Sequence, residues 1–274
     1  MEILNLSVLL KIIEETPSFQ KLLKHLINGN ASASVLEAAR PYLIAAIHQN
    51  LNKPVLLLTS QAEEARKLYE QLCIWNNPSH VKLLPEPDAL PYERIMPDNL
   101  TELDTLRVLS TLCCLPGNET PLVIASAHAF GMKQPSARDF SDAFHTISEG
   151  MNIEPSALMM RWQSMGYQVE NIVEVPGTMG RRGGIVDVYP PTADLPTRLE
   201  FFGNTVESIR LFDPVNQRSV QKASSVTIGP ATRLFTVRKT DTPDAVLNRM
   251  DFTGCREEVR SRFTREITSL VKGQ

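Results

Sequence analysis

A chain of 274 residues has room for about two domains, and its 42% apolar content is enough to build a core in each. Lysine and arginine number 28 against 31 acidic residues, a formal charge of −3 that excludes a uniformly basic nucleic-acid-binding protein and leaves only a local basic patch for any DNA contact. No run approaches the roughly 18 apolar residues of a membrane span, and the first residues lack the basic start of a signal peptide before meeting Glu14-Glu15, so the expectation is a soluble, cytoplasmic protein with no membrane partner.

Along the first 135 residues helical and strand patterns alternate. Leu9, Leu10, Ile12 and Ile13, then Phe19, Leu22, Leu23 and Leu26, recur at helical spacing with a break at Pro17. Ala38 to His48 predicts a further helix. Pro54 opens Val55-Leu56-Leu57-Leu58-Thr59, a short apolar run of the kind that makes a strand buried on both faces. Ser60 is positioned to cap the next helix, whose Ala62, Ala65, Leu68, Tyr69 and Leu72 fall on one stripe. Val81–Leu84 and Leu122–Ala125 predict two more strands, with a helix marked by Leu103, Leu106, Leu109 and Leu112 between them. The proline-rich segment from Pro85 to Pro97 predicts an ordered loop, with Tyr92 packed within it. Strands alternating with helices imply an α/β domain with a parallel sheet, covered on both sides.

After Lys133 the character changes. A helix is predicted over Ser156–Met165, stopped by Gly166 as C-cap. Four strand candidates follow: Tyr167–Val175, Gly184–Tyr189, Thr197–Phe202 and Val206–Phe212, the last two joined by the hairpin signal Gly203-Asn204. Residues 136–229 therefore read as a small α+β domain with an antiparallel sheet. Residues 230–274 hold a strand candidate at Thr232–Val237 and a charged helix at Arg256–Lys272, too little for a separate core.

The chemistry-bearing motifs are few. A phosphate loop needs glycines, a lysine for the phosphates and a hydroxyl for magnesium. The one candidate turn runs through Gly29, Asn30, Ser32 and Ser34, and has one glycine and no lysine. It reads as a small-residue turn, a degenerate loop with no cofactor. The five histidines are scattered without metal-ligand spacing, and Cys73, Cys113, Cys114 and Cys255 form no CxxC, which fits reduced thiols and no metal. No catalytic constellation is visible.

What remains is the strand Thr197–Phe202. Side chains alternate along a strand, so Leu199 and Phe201 share one face, while Arg198, Glu200 and Phe202 share the other. A three-residue loop at Gly203–Thr205 sets Leu199 opposite Ile209 and Arg198 beside Arg210, and a two-residue turn shifts the pairing; sequence leaves that register open. Either way an exposed face combines arginine with an aromatic ring, the pairing enriched at interface hot spots. Upstream, Arg181-Arg182 precede a glycine pair, Gly183-Gly184, that permits close backbone approach. Arg182, Arg198 and Phe202 are the main candidates for a partner contact, with Arg181, Arg210 and Glu200 as neighbours.

Many of these residues carry a resemblance. Gly166-Tyr167, the run Arg182–Pro190, Pro196 with Arg198–Gly203, Glu207–Arg210, Phe212-Asp213, Gln217–Ser219 and Ile228–Ala231 resemble the second domain of the repair protein UvrB, a module shared with the bacterial transcription-repair coupling factor family. Residues 1–135 are similar, at Gly29–Ser34, Pro54–Thr59 and Leu84–Tyr92, to a UvrB first domain that has lost its phosphate loop. The resemblance implies a degenerate P-loop-like domain over 1–135, a UvrA-binding domain over 136–229, and the start of a third segment, cut short, over 230–274. It implies a non-catalytic module that recruits UvrA, with Arg182, Arg198 and Phe202 at positions the family uses for that contact. RNA polymerase, DNA and an ATP-dependent translocase motor are implied for other domains of the full-length family protein. Two alternatives stand beside this reading: a UvrB-like ATPase acting on damaged DNA, and an intramolecular clamp whose partner is the remainder of its own chain.

Overall fold

The computed structural model describes residues 5–87, 99–113, 120–233 and 242–271. Tyr92 and most of the proline-rich loop, Cys114, and Leu234–Val237 of the expected strand lie outside the described residues. The chain forms two compact units, Met1–Gln134 and Pro135–Gln274, and the segment after residue 229 clusters with the second.

The first unit opens with α1 (Leu10–Glu14) and α2 (Pro17–Asn28). Pro17 sits in the first turn of α2, where its missing N–H costs nothing, and the Thr16 side chain accepts from Phe19 N. A short 3-10 turn, Glu37–Ala39, leads into α3 (Arg40–Leu51). The strands β1 (Val55–Thr59), β2 (Val81–Leu84) and β3 (Leu122–Ser126) are parallel, in the order β1-β3-β2. The intervening helices are α4 (Ala62–Trp75) and α5 (Asn99–Cys113), and α6 (Ala127–Gly131) follows β3. Ala65, Leu68 and Leu72 of α4 pack with Leu10, Phe19, Ala45, Ala46, Leu122 and Ile124 into one core.

Two sequence expectations need correction here. Central β3 is buried at every residue, but β1 is not buried on both faces: Leu56 and Leu58 are 47% and 48% exposed. Ser60 does not cap α4 either. Gln61 occupies the N-cap without a side-chain hydrogen bond, and Ser60 Oγ donates to Glu64 Oε2 at 3.4 Å.

The second unit contains α7 (Ala137–Ala143), β4 (His145–Ser148) and α8 (Pro155–Ser164). Gly166, at φ +94°, lies one residue past the C-cap of α8, in the left-handed conformation that ends many helices. Six strands then form one sheet: β5 (Gln168–Val169), β6 (Thr178–Arg182), β7 (Ile185–Val188), β8 (Thr197–Phe202), β9 (Thr205–Phe212) and β10 (Ser219–Ala223), ordered β10-β9-β8-β7-β6-β5. All pairings are antiparallel except the short parallel pair β5–β6. A separate ribbon pairs β11 (Ser225–Ile228) with β4, and α9 (Pro243–Leu247) and α10 (Glu257–Val271) close the described chain. The inner sheet face packs Met179, Val186, Val188, Leu199, Val206 and Ile209 with Leu158, Trp162 and Tyr167.

The expected Tyr167–Val175 strand shrinks to two residues, while β6 takes up the glycine-containing run that sequence patterning passes over. Gly180 explains why glycine belongs there: an added Cβ would stand 2.5 Å from the Glu170 carbonyl oxygen.

Candidate partner-binding face

The β8–β9 register accommodates both expected pairings through one bulge. Arg198 faces Arg210 and Leu199 faces Ile209, as a three-residue loop requires, whereas Phe201 faces Val206 and Phe202 faces Thr205, as a two-residue turn requires. The register shifts between Glu200 and Phe201, leaving Glu207 as the extra residue. Gly203, at φ +60°, occupies the first turn position, where a Cβ would be strained. The bulge keeps Leu199 and Ile209 in the core without moving Phe202 off the outer face.

That outer face collects five of the six sequence candidates. Rungs across the sheet place Asp187 beside Arg198 and Arg198 beside Arg210, with Arg182, Ile185, Glu200 and Ser208 in the next rung. Phe202 ends the row along β8 and is 80% exposed. Arg181 is the exception. It pairs with core-facing Val186, and its guanidinium turns to Ser156 Oγ (3.1 Å) and Gly183 O (3.2 Å). Alternation along β6 puts Arg181 and Arg182 on opposite faces.

Asp187 organises the centre, and its role was not foreseen. Its side chain is 4% exposed and accepts from Arg198 Nε (2.7 Å) and Nη2 (2.9 Å), and from Arg182 Nη2 (3.0 Å). A single acid inside Ile185-Val186-Asp187-Val188 was the available signal, because a buried carboxylate requires charged partners. Arg198 is less open than its strand position suggested. Its side chain is 14% exposed, its Cζ lies 4.4 Å from the Phe212 ring centroid, and its Nη1 donates to the Gln217 carbonyl. Hydrogen bonding to Asp187 holds the Arg198 guanidinium above its already high ordinary pKa, and partial burial opposes this. Arg182, by contrast, is 51% exposed. Arg210 Nη2 donates to Glu200 Oε2 at 3.2 Å, which Ser208 Oγ also reaches, while Arg210 Nε is buried without a partner. Arg198 is thus a buttress between a carboxylate and a ring, and Arg182 and Phe202 are the groups presented outward.

The turn Gly29–Ser34 has a different surrounding. It joins α2 to the 3-10 turn at Glu37, so a helix precedes it where a phosphate loop has a strand. Downstream of the turn, Lys67 Nζ pairs with Glu37 (3.2 Å) and Arg40 with Glu64 (3.4 Å). Among the described residues no group of three or more His, Cys, Asp or Glu side chains is placed to hold a metal ion, and no helix is long and apolar enough to cross a membrane.

Residues 146–234, which include the whole six-stranded sheet, match the model of the UvrB interaction domain. The chain carries a UvrB-like module of the kind found in transcription-repair coupling factors. It is 30% identical over 226 residues to a transcription-repair-coupling factor of Bacillus subtilis, covering 81% of this chain and 19% of that protein. With that of Myxococcus xanthus it shares 32% identity over 209 residues, 74% of this chain and 17% of the relative. UvrABC system protein B of Mycoplasma mobile is 26% identical over 266 residues, 91% of this chain and 39% of that protein. The chain therefore spans about a fifth of the length of the coupling factors it matches.

Proposed function

We propose that this protein is a docking module for UvrA that performs no chemistry of its own and links stalled transcription to nucleotide excision repair. The observation that carries the reading is that Phe202, 80% exposed, and Arg182, half exposed, share the outer face of one sheet inside the UvrB interaction domain match. An exposed ring on the same face as a guanidinium held by a buried carboxylate offers a partner an apolar contact and a charge whose position is set before binding. RNA polymerase and DNA are met by other parts of a longer protein, in the cytoplasm. The enzyme reading, a UvrB-like ATPase, is disfavoured by the Gly29–Ser34 turn, which has no lysine and follows a helix.

The test is a titration of UvrA with the wild-type chain and with Arg182→Ala, Arg198→Ala and Phe202→Ala. Phe202→Ala should weaken binding by ~2 kcal/mol or more, roughly thirtyfold, with an unchanged melting temperature. Arg198→Ala should lower both affinity and stability. Wild-type affinity in all three variants places the interface elsewhere.

A further inference from the structure

We propose that the docking face continues past Arg198 across β9 and β10 to Lys222, and that it receives a carboxylate-bearing surface of the partner protein. The inference rests on the docking role above. The pairing register places Asp187, Arg198, Arg210 and Lys222 side by side on four successive strands. Directly paired residues project to the same side of a sheet, so the four share the outer face. Ala223, the next residue along β10, faces Ile209 and packs on the core, which fixes Lys222 outward.

Three cations on adjacent strands of one rung repel one another, and like charges directly opposite are destabilising. The local acids offset only part of this. Asp187 is shared between Arg198 and Arg182, and Glu200 serves Arg210. Lys222 is exposed and has no carboxylate partner among the described residues. Counting Arg182, Arg198, Arg210 and Lys222 against Asp187, Glu200 and the exposed bulge residue Glu207 leaves this face at 4 − 3 = +1, on a chain whose formal charge is −3. A positive face that persists on an acidic protein complements acidic groups on a partner. From β6 to β10 it spans four strand spacings, about 19 Å, a width that fits one side of a standard protein interface.

A protein surface fits this face better than a nucleic-acid backbone does. Phosphate tracking needs an array of cations, whereas here Asp187 and Glu200 sit among them and the exposed Phe202 ends the patch. An exposed aromatic sharing a face with arginines and a polar rim is the composition of protein interfaces. Lys222, on the edge strand β10, is in the rim.

The experiment titrates UvrA with the 274-residue chain carrying Lys222→Ala, Lys222→Glu or Phe202→Ala, and runs duplex DNA as a parallel ligand. Two salt concentrations, ~50 mM and ~300 mM, separate screened from contact terms. Lys222→Ala should weaken UvrA binding about threefold at low salt, and Lys222→Glu about tenfold. Both losses should shrink at high salt, while the Phe202→Ala loss persists. Unchanged affinity for Lys222→Glu beside a weakened Phe202→Ala overturns the extension and leaves the docking role standing. A Lys222→Glu variant that loses duplex binding but keeps UvrA binding assigns β10 to nucleic acid and also overturns it. Absence of wild-type UvrA binding removes the docking role itself, and the extension with it.

Discussion

In the parallel sheet of the first unit, central β3 is buried along its whole length, whereas β8 in the second unit alternates between buried Thr197 and Leu199 and outward Arg198, Glu200 and Phe202. A strand flanked by helices on both sides has no side-chain position to spare for a partner. An antiparallel strand with one face on the core and one toward solvent can change its outer residues while the inner ones keep the fold. The two sheets teach that the working surface belongs where burial is one-sided. The edge strand β1 shows the intermediate case, with Leu56 and Leu58 exposed beside the fully buried β3.

The sharpest challenge to this contrast is Asp187, which faces outward yet is 4% exposed. Asp187→Ala strands the 14%-exposed Arg198 side chain without its carboxylate and should destabilise the second unit by ~3–5 kcal/mol in denaturant melts. Arg182, half exposed, contributes little to that figure. A loss below about 1 kcal/mol would mean the outer face is only decoration on the sheet.

Next in size is the comparison within β8 itself. Leu199 is fully buried, so Leu199→Ala should cost ~2–5 kcal/mol. Phe202→Ala, three residues on, should stay within about 0.5 kcal/mol of wild type. Equal costs at the two positions would erase the distinction between the faces.

Acid provides a smaller effect confined to the second unit. Trp162 Nε1 donates to His145 Nε2 at 3.0 Å, which requires that nitrogen to be unprotonated. Burial, and then the charge of Arg161, push the His145 pKa below its ordinary 6.5, against the opposing pull of the Ala143 carbonyl. The unfolded chain therefore takes up the proton more readily than the folded one. The contribution is present above pH 6.5 and is lost as the pH falls below it. Trp162 fluorescence in a Trp75→Phe background should report this, and His145→Gln, which has no titrating ring, should flatten the acid limb. An unchanged limb would remove His145 from the account.

The smallest expected effect is none. Millimolar Mg-ATP should leave the first unit's melting unchanged, whereas a ligand at a hundred times its dissociation constant adds ~2.7 kcal/mol. A shift of that size would restore the nucleotide reading of the Gly29–Ser34 turn.

Much of the fold was legible because periodicity is local. The run Val55–Thr59 is β1 to the residue, Thr197–Phe202 is β8 to the residue, and Gly166 ends α8 where a glycine stop was expected. β6 was missed because Gly180 and two arginines hide a strand whose glycine serves a close backbone contact. The face of Arg181 was misjudged for the same reason: without β6 there was no alternation to separate it from Arg182.

By itself the sequence determined an α/β unit followed by a small α+β unit, the alternation that puts Arg198, Glu200 and Phe202 opposite Leu199, and the absence of a lysine in the small-residue turn. Those follow from chain neighbours, whose spacing fixes which way each side chain points. Only the tertiary structure decided that a bulge at Glu207 joins two registers, and that Asp187 gathers Arg182 and Arg198. It also decided that Arg198 is held against Phe212 while Phe202 stands free, and that Lys222 lies in line with Arg210. Each of these depends on which strand lies beside which, a long-range pairing set by burial of the whole inner face.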